Sequence, residues 1–210
     1  MSEGQFVAIV DDDDGVLDAL TALLKRRGFQ VDSMPSADAI LAALDAGSTY
    51  ACIVSDIRMP GMSGPELHEE IKKRGVTTPV IFVTGHGDVN LAVKSMKSGA
   101  HDFIEKPIDG GMLIASVRDA IQRYKATRDA DSILSNIRER YAALSDRQRE
   151  VMLLVANGHP NKEIAAILEI SSRTVEHYRE SVMERMGARN LADLVKMAIR
   201  LDILASHRGP

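Results

Sequence analysis

Long apolar runs are missing from this chain: nowhere do hydrophobic residues persist for the length a helix needs to cross a bilayer, which excludes a spanning segment. Met1 to Gln5 have neither the basic nor the apolar region of a signal peptide, so a soluble, cytoplasmic protein is expected. Low-complexity tracts are also absent. With 45% hydrophobic and 27% charged residues, the chain can bury a proper core and should be globular, with disorder confined to its ends. Only one cysteine is present, Cys52, and within the apolar run Tyr50 to Val54 it reads as a small buried hydrophobe rather than a redox sensor. A surplus of positive charge is lacking too. Residues 1–125 carry 13 Lys/Arg against 18 Asp/Glu, and residues 126–210 carry 13 against 12. The acidic first half suits a divalent cation, whereas the nearly neutral second half neither demands nor forbids a phosphate-backbone partner.

At 210 residues the length favours two domains over one. The first half alternates apolar runs with amphipathic stretches: Phe6 to Val10, Asp14 to Arg27, Gln30 to Met34, Ala37 to Ala46 and Tyr50 to Ser55. Pro65 to Arg74 continues as a helix, Val80 to Thr84 as a strand, Val89 to Ser98 as a helix and His101 to Glu105 as a strand. Five βα units of this kind predict an α/β fold, a parallel sheet covered on both faces with ligands at the carboxyl ends of its strands. From Met112 the pattern turns helical, and no Gly or Pro occurs before Asn157. Leu113, Val117, Ile121 and Tyr124 form one apolar stripe, and Ile133, Ile137 and Tyr141 a second. Met112 to about Arg128 reads as the last helix of the first domain, and Asp129 to Ala143 as a helical linker. Ser145 with Gln148 makes a capping box that opens the second domain.

Two acidic groups end apolar strands: Asp11 to Asp14 follow Val10, and Asp56 follows Ile53-Val54-Ser55. Asp13 or Asp14 can instead cap the following helix, and an Asp after a strand can be a plain loop residue. Thr84, closing the fourth strand, and Lys106-Pro107, after the fifth, would converge on the same pocket. Clustered carboxylates repel one another unless a cation is present, so Asp11, Asp12 and Asp56 imply Mg²⁺ or Mn²⁺. An Asp56 oxygen could then attack a phosphoryl group while Lys106 offsets the charge and Thr84 donates its hydroxyl. Asp13 could replace Asp12 if the first strand ended one residue later. His86 and His101 lack a second ligand at metal spacing and read as loop residues.

These motifs resemble the receiver domains of two-component response regulators over roughly residues 5–125. The resemblance implies a flavodoxin-like five-stranded sheet of order 2-1-3-4-5 with Asp56 as phosphoacceptor. It implies Mg²⁺ ligation by Asp12, Asp56 and the Arg58 backbone carbonyl, with Asp11 acting mostly through water. Thr84 becomes the switch hydroxyl, Lys106 the family lysine on a cis bond to Pro107, and Phe103 the aromatic switch residue. Phe103 could equally be core packing. An enzyme using Asp56 as a phosphatase or phosphotransferase nucleophile would carry a second Asp two residues on, and position 58 is Arg.

The second half reads as four short helices, Asp146 to Ala156, Asn161 to Leu168, Ser172 to Met186 and Leu191 to Leu201, punctuated by Gly158-His159-Pro160, Ile170-Ser171-Ser172 and Gly187. The short link between Leu168 and Ser172 matches a helix-turn-helix. Val175, Val182 and Met186 suit the core, while Arg173, Glu176, His177, Glu180 and Glu184 largely point away, which by itself would suit a solvated face. Leu144 to Glu150, Asn157 to Ala165 and Ser172 to Arg179 resemble the LuxR-type effector domain. The whole chain is thereby similar to the NarL/FixJ family, in its FixJ branch. The resemblance implies that Glu176, His177 and Glu180 face bases, and that Lys162, Arg173, Thr174 and Arg179 approach phosphates. The NarL branch tends to have lysines at the positions of Glu176 and Glu180. Glutamate accepts from cytosine N4 but is repelled by phosphate, so affinity should lean on neighbouring Arg and Lys and on dimerisation. The expected organisation is a receiver at 1–125, a helical linker at 126–143 and an all-α helix-turn-helix domain at 144–210. The expected protein is a transcription factor, an activator, phosphorylated by a cognate sensor histidine kinase. It would form a homodimer on phosphorylation, bind double-stranded DNA and engage RNA polymerase, with an RNA-binding or protein-interaction module as the rival for its second domain.

Overall fold

The computed structural model describes residues 6–85, 96, 97 and 99–204. Two compact units divide the chain at Thr127/Arg128.

In the first unit, β1 (Phe6–Val10), β2 (Gln30–Met34), β3 (Cys52–Asp56), β4 (Val80–Thr84) and β5 (Asp102–Glu105) form one parallel sheet in the order β2-β1-β3-β4-β5. Strand side chains alternate between faces, and the two faces fill different cores. Val7, Ile9, Val54, Ile81 and Val83 pack with Leu17, Leu20 and Leu24 of α1 (Asp14–Lys25) and with Leu113, Val117 and Ile121 of α4 (Gly110–Ala142). Ala8, Val10, Ile53, Val80 and Phe82 pack with Ile40 and Leu41 of α2 (Ala37–Asp45) and Leu67 and Ile71 of α3 (Gly64–Lys73). Burial on both faces explains why β3 and β4 open with continuous apolar runs, Cys52 to Val54 and Val80 to Val83.

Helix ends follow local chemistry. The Asp13 carboxylate caps α1, accepting from the Gly15 and Val16 amides at 2.8 and 3.2 Å. Ser63 and Glu66 form a capping box on α3, with Pro65 in its first turn. α4 starts at Gly110, two residues before Met112, where the helical pattern was expected to begin, and the Asp109 side chain accepts from the Met112 amide at 2.9 Å. β5 starts at Asp102 rather than His101. The helix expected at Val89 to Ser98 lies outside the described residues, apart from Met96 and Lys97, which are helical.

The second unit contains the end of α4 together with α5 (Asp146–Ala156), α6 (Asn161–Leu168), α7 (Ser172–Met186) and α8 (Leu191–Arg200). α4 runs unbroken through the segment expected as a linker. Its Ile137 is buried with Val151, Met152, Ile164, Val175, Val182 and Leu194, and Tyr141 packs against the same cluster. Ile133, on the same sequence stripe, is instead exposed. The Ser145–Gln148 capping box forms in full on α5. Among the described residues, no helix is long and apolar enough to cross a membrane.

Candidate functional site

β1 and β3 are adjacent in the sheet, so the residues at their carboxyl ends, Asp11 and Asp56, become neighbours. Both are buried, at 2% and 7% exposure, although each is an acid. The compensating charge arrives from beyond β5. Lys106 Nζ donates to Asp56 Oδ1 at 2.7 Å and to Asp11 Oδ2 at 3.2 Å. The other Asp56 oxygen accepts from the Arg58 amide at 2.6 Å, and the other Asp11 oxygen from the Asp13 amide at 2.9 Å. Burial raises the Asp11 carboxyl above its ordinary range; the Asp13 amide and Lys106 oppose that rise, and the Asp56 charge adds to it. Burial also works against the Lys106 ammonium, yet its bond to Asp56 and the two carboxylate charges outweigh this and hold it above the usual lysine value. The Lys106–Pro107 peptide bond is cis.

Thr84 is buried at the end of β4, and its backbone carbonyl accepts from the Lys106 amide at 2.7 Å. Its hydroxyl donates to the Gly85 carbonyl at 3.2 Å rather than to the acidic pair. Asp12 is exposed beside Asp11, and Arg58 is exposed with its amide anchored on Asp56. Phe103 is half-buried against the α2/α3 core. His101 lies just before β5 and its Nε2 is 3.1 Å from the Asp119 carboxylate, while His86 lies outside the described residues. Among the described residues, no three His, Cys, Asp or Glu side chains converge on a single metal position.

Two further residues, to which the sequence assigned no role, shape this pocket. Gly64, at the start of α3, donates its amide to the Ile57 carbonyl at 3.0 Å, and a Cβ there would overlap the Asp56 carbonyl oxygen. Ser55 is fully buried and its hydroxyl donates to that same oxygen at 2.9 Å. The Asp56 backbone is thus held from two sides. Ser55 was visible only as the residue before Asp56, and Gly64 only as the last residue of the run from Asp56 to Gly64; its backbone is not in the left-handed region, so a turn would not have singled it out.

In the second unit, α6 ends at Leu168 and Glu169 takes the left-handed conformation (φ 55°), which turns the chain into Ser171, the N-cap of α7. Val175, Val182 and Met186 face the core, leaving Arg173, Glu176, His177 and Glu180 on the exposed side of α7 and Lys162 exposed at the start of α6. Thr174 is half-buried, with Oγ1 2.8 Å from the Ser171 hydroxyl. Arg179 differs from the others. It is half-buried and donates to Asn161 Oδ1 at 2.9 Å, tying α7 to the start of α6.

Residues 7–118 match the family described as response regulator receiver domain, and residues 142–198 match bacterial regulatory proteins of the luxR family. The transcriptional regulatory protein FixJ of Azorhizobium caulinodans is 46% identical over 202 residues, covering 95% of this chain and 94% of its own length. The response regulator protein TodT of Pseudomonas putida is 36% identical over 195 residues, covering 93% of this chain and 86% of its own. Among solved structures, that of response regulator StyR matches with a TM-score of 0.84 at 33% identity, over 93% of this chain and 98% of that one.

Proposed function

The chain belongs to the two-component response regulators that join a receiver to a LuxR-type DNA-binding domain, and from that premise we propose that Asp56 is its phosphoacceptor and that phosphorylation there controls DNA binding. The observation that carries this reading is the Lys106 ammonium shared by the Asp11 and Asp56 carboxylates. Two buried acids held by one cation form a pocket built for additional positive charge. Asp11, Asp12, Asp56 and the Arg58 carbonyl supply hard oxygen donors that suit Mg²⁺ or Mn²⁺. A cation bound there would offset charge on the phosphoryl oxygens.

The remaining chemistry belongs to the chain itself. One Asp56 oxygen attacks the phosphorus of a phosphodonor, the histidine kinase's phosphohistidine or a small phosphoryl compound; the donor's bond to phosphorus breaks and an acyl phosphate forms. The Lys106 ammonium moves from the carboxylate to a phosphoryl oxygen. The Thr84 hydroxyl turns from the Gly85 carbonyl toward the phosphate, and Phe103 follows into the space behind it. By assisting these steps the receiver promotes its own phosphorylation and dephosphorylation. The phosphorylated receiver, residues 1–125, pairs with a second copy. The effector, residues 144–210 beyond a linker at 126–143, then binds duplex DNA and, through RNA polymerase, activates transcription.

On DNA, the exposed side of α7 supports Glu176, His177 and Glu180 as base-facing residues, with Lys162, Arg173 and Thr174 toward phosphates. Arg179 uses one donor for Asn161, so its phosphate contact would come from its other N–H groups.

Treatment with a small phosphodonor and Mg²⁺ should add one phosphoryl group to the protein and shift it to a dimer, and Asp56→Asn should abolish both. Hydroxylamine-sensitive label retained in that variant overturns the assignment. On duplex DNA, Lys162→Ala and Arg173→Ala should weaken all sequences about equally and flatten the salt dependence, whereas His177→Ala should act mainly on the preferred site. Equal losses for all three would refute the base-facing assignment, and tighter binding to RNA than to duplex DNA would favour an RNA-binding module.

A further inference from the structure

Three arginines of the second unit each donate to the carbonyl of the last residue of a helix. Arg147 donates to Leu168 at the end of α6, Arg149 to Ala142 at the end of α4 at 2.9 Å, and Arg140 to Met186 at the end of α7 at 2.9 Å. Helix C-termini present unsatisfied carbonyls and the negative end of the macrodipole, so a guanidinium there meets both needs. Arg147 and Arg149 lie on α5 and also pair locally, with Glu150 and Asp146. Arg140 is different: it reaches from the α4 segment that the sequence presents as a linker.

The chain around Met186 is shaped for that reach. Gly187 takes φ +68° to end α7, and a Cβ at this position would overlap the Arg140 Nη1. The glycine therefore serves both the left-handed turn and the guanidinium's approach. One turn away on α4, Ile137 is buried in the same core as Met186, so the hydrogen bond is backed by apolar packing. An open groove of about 580 Å³ is bordered by Ile133, Ile137, Gly187 and Met197.

We infer that Arg140 is a positioning residue for DNA reading: by capping the Met186 carbonyl it locks α7, the helix whose exposed side carries Glu176, His177 and Glu180, onto the end of α4. This rests on the assignment of α7 as the recognition helix. Segment 128–142 is then part of the DNA-reading body rather than a spacer. The consequence is a particular pattern of loss. Base contacts need α7 at a fixed tilt, whereas sequence-independent phosphate contacts tolerate its rocking.

The test uses the full chain with Arg140→Ala, Arg140→Lys, Gly187→Ala and the double variant. The probes are a preferred duplex selected from a random pool and a random-sequence duplex of equal length. Because the cap is present with or without DNA, its loss acts through the population of correctly tilted α7, and Arg140→Ala should lose at most about tenfold on the preferred duplex, with little change on the random one. Arg140→Lys, which keeps a charged donor, should recover part of it. Left-handed strain from Gly187→Ala is common to both backgrounds, so a smaller penalty for Gly187→Ala in Arg140→Ala than in the parent isolates the contact. Amide hydrogen exchange over residues 183–187 reads the cap without DNA and should accelerate in Arg140→Ala. Unchanged exchange and unchanged preference for the selected duplex overturn the proposal, as does equal weakening on both duplexes. If the unsubstituted chain binds no duplex while exchange still responds, the DNA-binding reading falls and, with it, the role of Arg140 in DNA reading, leaving only the cap.

Discussion

Lys106 Nζ lies 2.7 Å from Asp56 Oδ1, and the same ammonium also holds Asp11 at 3.2 Å, so two buried carboxylates share a single cation. Removing one partner of a buried pair usually costs about 3–5 kcal/mol, but the Lys106 side chain is one-third exposed, which reduces the figure to roughly 1–2 kcal/mol. Lys106→Ala should therefore melt earlier, and adding Asp11→Asn should restore part of the loss. The single variant should still accept phosphate but fail to dimerise, because the ammonium acts chiefly on the phosphorylated product. Undiminished phosphate-dependent dimerisation, read by light scattering, would count against that role.

Gly64→Ala should destabilise the receiver and slow its phosphorylation. Alanine ordinarily stabilises a helical position relative to glycine by about 0.5–1 kcal/mol. Here the added methyl overlaps the Asp56 carbonyl and comes within 3.0 Å of Phe82, and overpacking costs about 1–3 kcal/mol, so the sign reverses. Denaturant unfolding gives the stability change, and the initial rate of acyl-phosphate formation reports displacement of Asp56.

The alternation of apolar runs made the sheet legible, because strands buried on both faces are mostly apolar and admit polar residues here only near their carboxyl ends. For the same reason Asp11 and Asp56 stood out at strand ends. The helices of the second unit were marked by the Ser145 cap, the Ile170-Ser171-Ser172 turn and the Gly187 stop, whose chemistry acts over three or four residues. Contacts between residues distant in the chain had no such signature. The approach of Gly64 to Asp56, the bond from Arg179 to Asn161 and that from Arg140 to Met186 depend on how helices meet in space. The linker is the instructive case: its apolar stripe was visible, but only packing shows that Ile137 enters the effector core while Ile133 stays exposed.

His68 gives the first unit an acid-sensitive element. It is buried on α3, edge-on to the Phe82 ring at 6.0 Å. Burial depresses its pKa, with help from Lys72 and against the pull of Glu69. The unfolded chain, with a histidine pKa near 6.5, then binds the proton more readily than the fold does. The neutral ring's contribution is present in full above about pH 6.5 and is lost as the pH falls through the depressed folded value. His68→Leu should keep more of its pH 7.5 stability at pH 5.5 than the parent does. Parallel urea titrations at the two pH values measure this, and an equal acid loss in both proteins removes His68 from the effect.

The lifetime of the phosphorylated state is predicted to depend on Arg58. Its amide is fixed on Asp56 Oδ2 at 2.6 Å, so its side chain starts from a backbone anchored to the phosphoacceptor. Hydrolysis of an acyl phosphate needs water in line behind the phosphorus, and a long side chain over that approach excludes it. The guanidinium also carries a charge that can pair with the phosphate. Because Arg58 is exposed, such a pair is worth only about 0.2–1 kcal/mol, so its removal should shorten the lifetime by at most about fivefold. His86, two residues beyond Thr84, is expected to act the same way from sequence but lies outside the described residues. Timing the loss of acyl phosphate in Arg58→Ala, His86→Ala and the parent decides the matter. Faster decay in Arg58→Ala supports shielding, and Arg58→Lys should fall between the two because it keeps charge and length but loses the planar fork. Unchanged or slower decay in Arg58→Ala would show that water reaches the phosphorus by another path.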